Sequence, residues 1–293
     1  MTVIPRTITT SDSLSLAVWE HGDPTAPTVV LVHGYPDTHR VWDGIVRELE
    51  GDHHVVTYDV RGAGASDAPR DRSGYDLTHL VADLGAVVDA TAPEGPIHLV
   101  GHDWGSVQSW EAVGTRALGD RLASFTSISG PALDHVGRWL QDRRAAGERR
   151  QLLGQGLKSW YVGFFHLPAL APLGWRRVAE RPFRRYLRDV EGLSSDQQPG
   201  PTLPRDGANG VELYRRNVRR RLTDPQERTT DVPVLLVVPT GDRYVSPAMA
   251  GEAARHCTDL RTVEVDAKHW FPAARPAEAA SLIRDHVART GSG

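Results

Sequence analysis

Six short β-rich runs, at residues 28–32, 55–58, 97–100, 125–129, 234–238 and 262–265, recur along the chain with helical patterns between them. Short β-rich runs of this kind read as strands buried on both faces, the pattern of a parallel sheet. Residues 75–92 place Leu77, Leu80, Val81, Leu84, Val87 and Val88 at helical spacing, and residues 276–289 do the same with Ala280, Ile283 and Val287. Strand and helix in alternation define an α/β fold with a doubly wound, mostly parallel sheet. Residues 14–19 alternate apolar with polar side chains and predict an antiparallel start to that sheet.

The alternation stops near Ser129 and resumes near Val232. Between them lie Arg pairs, Pro168, Pro172, Pro182, the run Pro199-Gly200-Pro201 and an amphipathic stretch at 210–222. The spacing predicts a helical insertion, with residues 191–208, rich in Ser, Asp, Gln, Pro and Gly, as its loop. The chain therefore divides into a first core part at 1–130, a helical cap at 131–228 and a second core part at 229–293. No internal repeat or extended low-complexity tract is present.

A chain of 293 residues, 40% hydrophobic and 24% charged, is long enough to bury a large core and is neither disordered nor fibrous in composition. Cys257 is its single cysteine, so no internal disulfide and no Cys-x-x-Cys pair exists. Residues 1–10 lack an apolar leader, and the longest aliphatic runs, 29–32 and 234–238, fall far below the roughly 18 residues of a membrane span. A soluble cytoplasmic protein, monomer or homodimer, is expected. The net charge of −3 carries no footprint for nucleic acid. Charge is uneven, however: residues 131–228 hold 19 Lys+Arg against 11 Asp+Glu, a net of +8 that leaves −11 for the rest. Either a solvated basic face or attraction of an anionic substrate or partner accounts for it.

The run 97–100 leads directly into Gly101-His102-Asp103-Trp104-Gly105, followed by a helical pattern from Ser106. This is the frame of a nucleophile elbow, a sharp strand-to-helix turn that exposes its central side chain. The centre is Asp103. A carboxylate there can displace a leaving group at saturated carbon, forming an alkyl ester that water must then hydrolyse. The competing reading of Asp103 is a helix N-cap.

Ester hydrolysis near neutral pH calls for a histidine base. Among 13 histidines, His269 follows the last strand and precedes the C-terminal helix, where this chain order puts the base. His39, His53 and His54 read as solvated surface. Asp242, after the run 234–238, is the candidate to orient the imidazole, with Asp134 in reserve and Asp266 at the surface. The tetrahedral oxyanion needs two N–H donors, expected from the backbones of Trp104 and of Tyr35 in His33-Gly34-Tyr35-Pro36.

Taken together, these segments resemble the α/β-hydrolase superfamily, in its branch of epoxide hydrolases and haloalkane dehalogenases with an aspartate nucleophile. The resemblance rests on His33 to Asp37, on Asp59-Val60-Arg61-Gly62-Ala63-Gly64-Ala65-Ser66-Asp67, on Gly101 to Ser106, and on Asp242 and His269-Trp270. It covers nearly the whole chain. The segment 62–66 lacks the third glycine of a dinucleotide-binding loop, and no cofactor, organic or metal, is implied.

Epoxide hydrolases supply two cap tyrosines that donate to the opening ring oxygen. Tyr161 and Tyr214 look like those positions, whereas Tyr186 and Tyr244 lack the surrounding pattern. A dehalogenase would hold a halide with Trp104 and a second donor, often Asn after His-Gly, where this chain has Tyr35. The resemblance thus implies hydrolysis of a small, apolar epoxide to a vicinal diol. Dehalogenation, opening of a strained ring such as a β-lactone, and a non-catalytic binding role are the alternatives. Trp139, Trp160, Trp175, Trp270, Phe164 and Phe165 are candidates to line an apolar pocket. The cluster Arg215, Arg216, Arg219, Arg220 and Arg221 reads as a solvated face.

Overall fold

The computed structural model describes residues 5–167 and 169–291, so Pro168 and the first four residues lie outside the described residues. The eight strands are β1 (Arg6–Thr9), β2 (Ser15–His21), β3 (Thr28–Val32), β4 (His54–Tyr58), β5 (Ile97–His102), β6 (Leu122–Ile128), β7 (Val234–Pro239) and β8 (Leu260–Val265). They form one sheet in the order β1-β2-β4-β3-β5-β6-β7-β8. Strand β2 runs antiparallel to β1 and β4, as the alternation at 14–19 predicts, and the pairs from β4 to β8 are parallel.

Helices cover both faces, which explains the unbroken apolar runs. From β3, Val30 and Val32 enter one layer with Leu84, Val87 and Val88 of α2 (Leu77–Thr91) and Trp110 of α3 (Trp104–Gly114). Val29 and Leu31 enter the other with Ile45 and Leu49, on the short helix at Asp43–Leu49, and with Ile283 and Val287 of the C-terminal helix Pro276–Thr290. Each fully buried Val or Leu contributes about 1.5–3 kcal/mol. Strand β8 departs from expectation: as an edge strand it is only partly buried, so the run at 262–265 is not covered on both faces. His53 and His54 are also corrected, since both are buried at the start of β4. His54 Nδ1 meets the Thr28 hydroxyl and its Nε2 lies near the Glu20 carboxylate without a hydrogen bond, and His53 Nδ1 meets Asp52, so polar groups rather than solvent surround them.

Between β6 and β7 the chain leaves the sheet for a helical segment spanning α4 (Leu133–Ala145), α5 (Arg149–Lys158), α6 (Trp160–Phe165), α7 (Leu170–Gly174), α8 (Glu180–Tyr186) and α9 (Leu203–Thr223). Helix α9 begins at Leu203, inside the expected loop at 191–208. Pro204 occupies its first turn, where no N–H is required, so the proline starts the helix instead of excluding it.

An apolar cluster joins this segment to the sheet: Phe165, Trp175, Val211, Tyr214 and Val218 pack against Tyr35, Leu80, Trp104 and Val107. Polar ties reinforce it. Asn217 accepts from the Leu77 N–H and donates to the Tyr75 carbonyl, and Asp206 accepts from the Gly64 N–H. The arginines of α9 are not a uniformly solvated face. Arg216 pairs with Asp76, and Arg221 is held between Glu111 and Asp134, while Arg219 and Arg220 are exposed. Among the described residues no helix is long and apolar enough to cross a membrane.

Candidate active site

Asp103 lies between β5 and α3 with φ 50° and ψ −124°, a strained conformation for a non-glycine residue. The turn is tight enough that a Cβ on Gly105 would collide with the Val32 carbonyl oxygen. Strand β3 has β4 on one side and β5 on the other, so Asp103 stands where the sheet order reverses, outside the carboxyl ends of the strands. Although Asp103 is the N-cap residue of α3, its side chain makes no capping hydrogen bond. Its Oδ2 instead accepts from the Tyr35 N–H at 2.8 Å, and the backbone N–H of Trp104 also favours the charged carboxylate. Both expected oxyanion donors thus act on the Asp103 carboxylate. The loop bearing Tyr35 is fixed from below by His33, whose Nε2 accepts from the Val60 N–H at 2.9 Å while its Nδ1 lies 2.8 Å from the Gly34 carbonyl. That assigns a neutral imidazole protonated on Nδ1, and burial favours the neutral form.

His269 stands on the other side. Its Nε2 is 3.6 Å from Asp103 Oδ1, longer than a hydrogen bond, and its Nδ1 is 2.9 Å from Asp242 Oδ2. Asp242 Oδ1 accepts from the N–H groups of Tyr244 and Val245 at 2.7 and 3.0 Å, which fixes the carboxylate. His102 Nε2 donates to the His269 carbonyl at 2.9 Å. The reserve carboxylate Asp134 is elsewhere, bound to Arg221, and Asp266 is exposed, as expected.

Electrostatics couples the three groups. Burial raises the Asp103 carboxyl above the ordinary carboxylate range, and His269 and the two N–H donors oppose that rise. Burial also raises Asp242, but the charge and hydrogen bond of His269 bring it below the ordinary value. For His269, burial disfavours the cation, yet Asp242 and then Asp103 hold it up to about 9.

Two cavities open onto Asp103. One, of about 550 Å³, is lined by Trp160, Phe165, Trp175, Tyr186 and Trp270 among others. The second, of about 400 Å³, runs under α4 and α5 past Val136, Leu140, Leu152 and Met249. Tyr161 of α6, Tyr214 of α9 and Tyr244 line both. Burial raises the phenols of Tyr161 and Tyr214 well above their ordinary value, with Asp103 contributing, so both remain protonated. Helix α9 approaches the site closely enough that a Cβ on Gly210 would collide with the Tyr35 ring. Of the aromatic candidates, Trp139 is buried in one cluster with Val136 and Met249 and lines neither cavity itself, and Phe164 is exposed.

Several site residues carried no signal in the sequence pattern. Tyr244 packs edge-on against His269 and Tyr161, with ring centroids at 4.7 and 5.5 Å. Its position two residues after Asp242 was the available clue. Asp37, buried beside Trp270 Nε1 at 2.9 Å, is pushed up by burial to about 7. Glu191 accepts from the Tyr186 hydroxyl at 2.7 Å and the Trp270 N–H at 3.3 Å. The segment 59–67 is structural: Asp59 accepts from His39 and Ala65, and Ser66 accepts from the Ala17 N–H of β2.

A sheet of this order, carrying Asp103, Asp242 and His269 on the loops after β5, β7 and β8, defines a hydrolase class. The family model for the alpha/beta hydrolase fold matches residues 27–275, and the chain belongs to that family. Its relatives include Epoxide hydrolase A of Mycobacterium tuberculosis, 28% identical over 316 aligned residues, with 94% of this chain and 95% of the relative covered. The "Probable oxidoreductase EphD" of the same organism is 36% identical over 96% of this chain but only 49% of its own length. The chain thus spans about half the length of that relative. Among solved structures, an epoxide hydrolase from Bacillus megaterium bound to a diol product superposes with a TM-score of 0.80 at 18% identity, covering 97% of this chain and 100% of the other. Epoxide hydrolase A from Mycobacterium thermoresistibile gives 0.73 at 24% identity, covering 98% of each. At these identities the structural matches speak for the fold.

Proposed function

We propose that the chain hydrolyses apolar epoxides to vicinal diols through an ester on Asp103. The observation that carries the reading is the asymmetry of that carboxylate: Oδ2 is held by the backbone N–H of Tyr35, while Oδ1 faces His269 in a cavity walled by two protonated tyrosines. Asp103 Oδ1 attacks an epoxide carbon, the ring C–O bond breaks, and its electrons pass to the oxygen, which takes a proton from Tyr161 or Tyr214. Water then adds to the ester carbonyl carbon and gives its proton to His269 Nε2, oriented by Asp242. The oxyanion forms on Oδ2, against the Tyr35 and Trp104 N–H groups. Collapse breaks the bond between the carboxyl carbon and Oδ1, which leaves as the second diol oxygen and takes the remaining water proton from the new carboxyl; the proton on His269 restores the phenol, and Asp103 is again a carboxylate.

Residues 131–228 act in this reading as the cap, supplying both tyrosines and most of the apolar lining. Cavities on both sides of Asp103 favour an epoxide with an apolar arm on each carbon. The family resemblance to Epoxide hydrolase A supports the same chemistry.

Intact-protein mass after incubating His269→Gln with epoxides and haloalkanes tests the proposal, because loss of the base stalls the ester. A gain equal to the whole epoxide, absent once Asp103→Ala is added, is the expected result. A gain equal to the haloalkane minus hydrogen halide would make the protein a dehalogenase. No adduct from a folded variant would leave a binding role.

A further inference from the structure

Eight large apolar side chains are exposed among the described residues, and all of them lie between Leu153 and Val178. Leu157 is 77% exposed, Trp160 and Leu153 69% each, and Leu170 and Leu173 more than half. They sit on α5, α6, α7 and the turn at Trp175–Ala179, elements that pack one on the next. Singly exposed apolar residues need no explanation, but a concentration of this kind marks an interaction surface.

Two features say what it meets. Residues 149–181 contain six basic side chains, Arg149, Arg150, Lys158, Arg176, Arg177 and Arg181, and a single acid, Glu180, which pairs with Arg184. The patch is also the rim of the larger cavity, since Leu157, Lys158 and Trp160 line it. A second copy would set like charges against each other. We infer that this face docks on an anionic lipid surface, with the leucines and Trp160 entering the interface and the arginines meeting lipid phosphates. The cavity mouth then opens toward the phase in which an apolar substrate dissolves. That last step rests on the proposed reaction; the docking does not.

Co-sedimentation with vesicles of phosphatidylcholine containing 30 mol% phosphatidylglycerol, without substrate, tests it. The expected partition coefficient falls about tenfold or more with Leu153→Ser/Leu170→Ser/Leu173→Ser, with Arg149→Gln/Arg150→Gln/Arg176→Gln/Arg177→Gln, or on raising salt from about 0.1 to 0.5 M. Both variants should keep wild-type turnover of a water-soluble epoxide, which shows that they fold. Absence of binding to anionic vesicles overturns the inference. So does equal binding to pure phosphatidylcholine, binding unaffected by either variant, or a dimer that the leucine variant dissociates in the absence of lipid. If the vesicles bind but no ester forms on Asp103, the reaction fails and the docking stands.

Discussion

In the proposed reaction Asp103 must be charged to attack, in a place where burial opposes charge, and His269 must be neutral to act as base, in a place where two carboxylates hold it protonated. The resting ion pair meets the first demand, since His269 held up to about 9 favours the Asp103 carboxylate. In the proposed reaction alkylation of Asp103 meets the second: it removes one of the charges that raise His269, so the imidazole releases its resting proton to solvent and can act as a base when the ester is ready for water. Because His269 is raised from its ordinary 6.5, its charge stabilises the fold fully below about pH 6.5, and that contribution is lost as pH rises toward 9. Between pH 6 and 10 the unfolding free energy from urea melts should fall by on the order of 3 kcal/mol more in the wild type than in His269→Gln. An equal fall in both would remove His269 from the account. At the ring oxygen, Tyr161→Phe and Tyr214→Phe should each slow ester formation by about 10- to 100-fold, and the double variant by about 1000-fold or more, in single-turnover mass measurements. Residues of this kind are legible when a motif fixes their neighbours, as Gly101 and Gly105 do for Asp103. Tyr244 and Glu191 were not, because contact with His269 or Trp270 across the fold leaves no local pattern.

Elements were legible where one periodicity governs them. The strands at 28–32 and 234–238 have apolar residues facing helices on both sides, and α2 presents one apolar stripe. The early start of α9 was hidden because Pro-Gly-Pro and Pro204 read as loop signals until the N-terminal position of the latter is known. His53 and His54 misled for a related reason: composition gives polarity, and only the fold shows that Asp52 and Thr28 meet their Nδ1 atoms at the start of β4. The same holds for Arg221, whose guanidinium bridges Glu111 of α3 and Asp134 of α4 at 2.6 and 2.7 Å. Arg221→Met would leave two buried carboxylates sharing only the more distant Arg228, at 3.2 and 3.5 Å. The expected loss is about 3 kcal/mol, read from denaturant midpoints. Little change would show that Arg228 alone neutralises the pair.

For the molecule as a whole, the site is neither in the sheet nor in the helical segment but in the seam between them. The loops of the sheet supply Asp103, Asp242, His269 and the Tyr35 and Trp104 N–H groups, and the segment between β6 and β7 supplies Tyr161, Tyr214 and the greater part of the walls. The Asp103 carboxylate thus lies between two apolar spaces of about 550 and 400 Å³, a division set by how the helices of that segment pack. An epoxide with one arm can place its ring at Asp103 while filling one space, whereas one with an arm on each carbon must fill both. Leu152 lines the smaller space alone, so Leu152→Trp narrows that arm without touching the tyrosines or the larger cavity. Turnover of a mid-chain epoxide with two alkyl arms should fall by about tenfold or more, while a terminal epoxide is little affected, because only the former loses buried apolar area. Equal losses for the two substrates would mean that the smaller space takes no substrate and that both arms share the larger one.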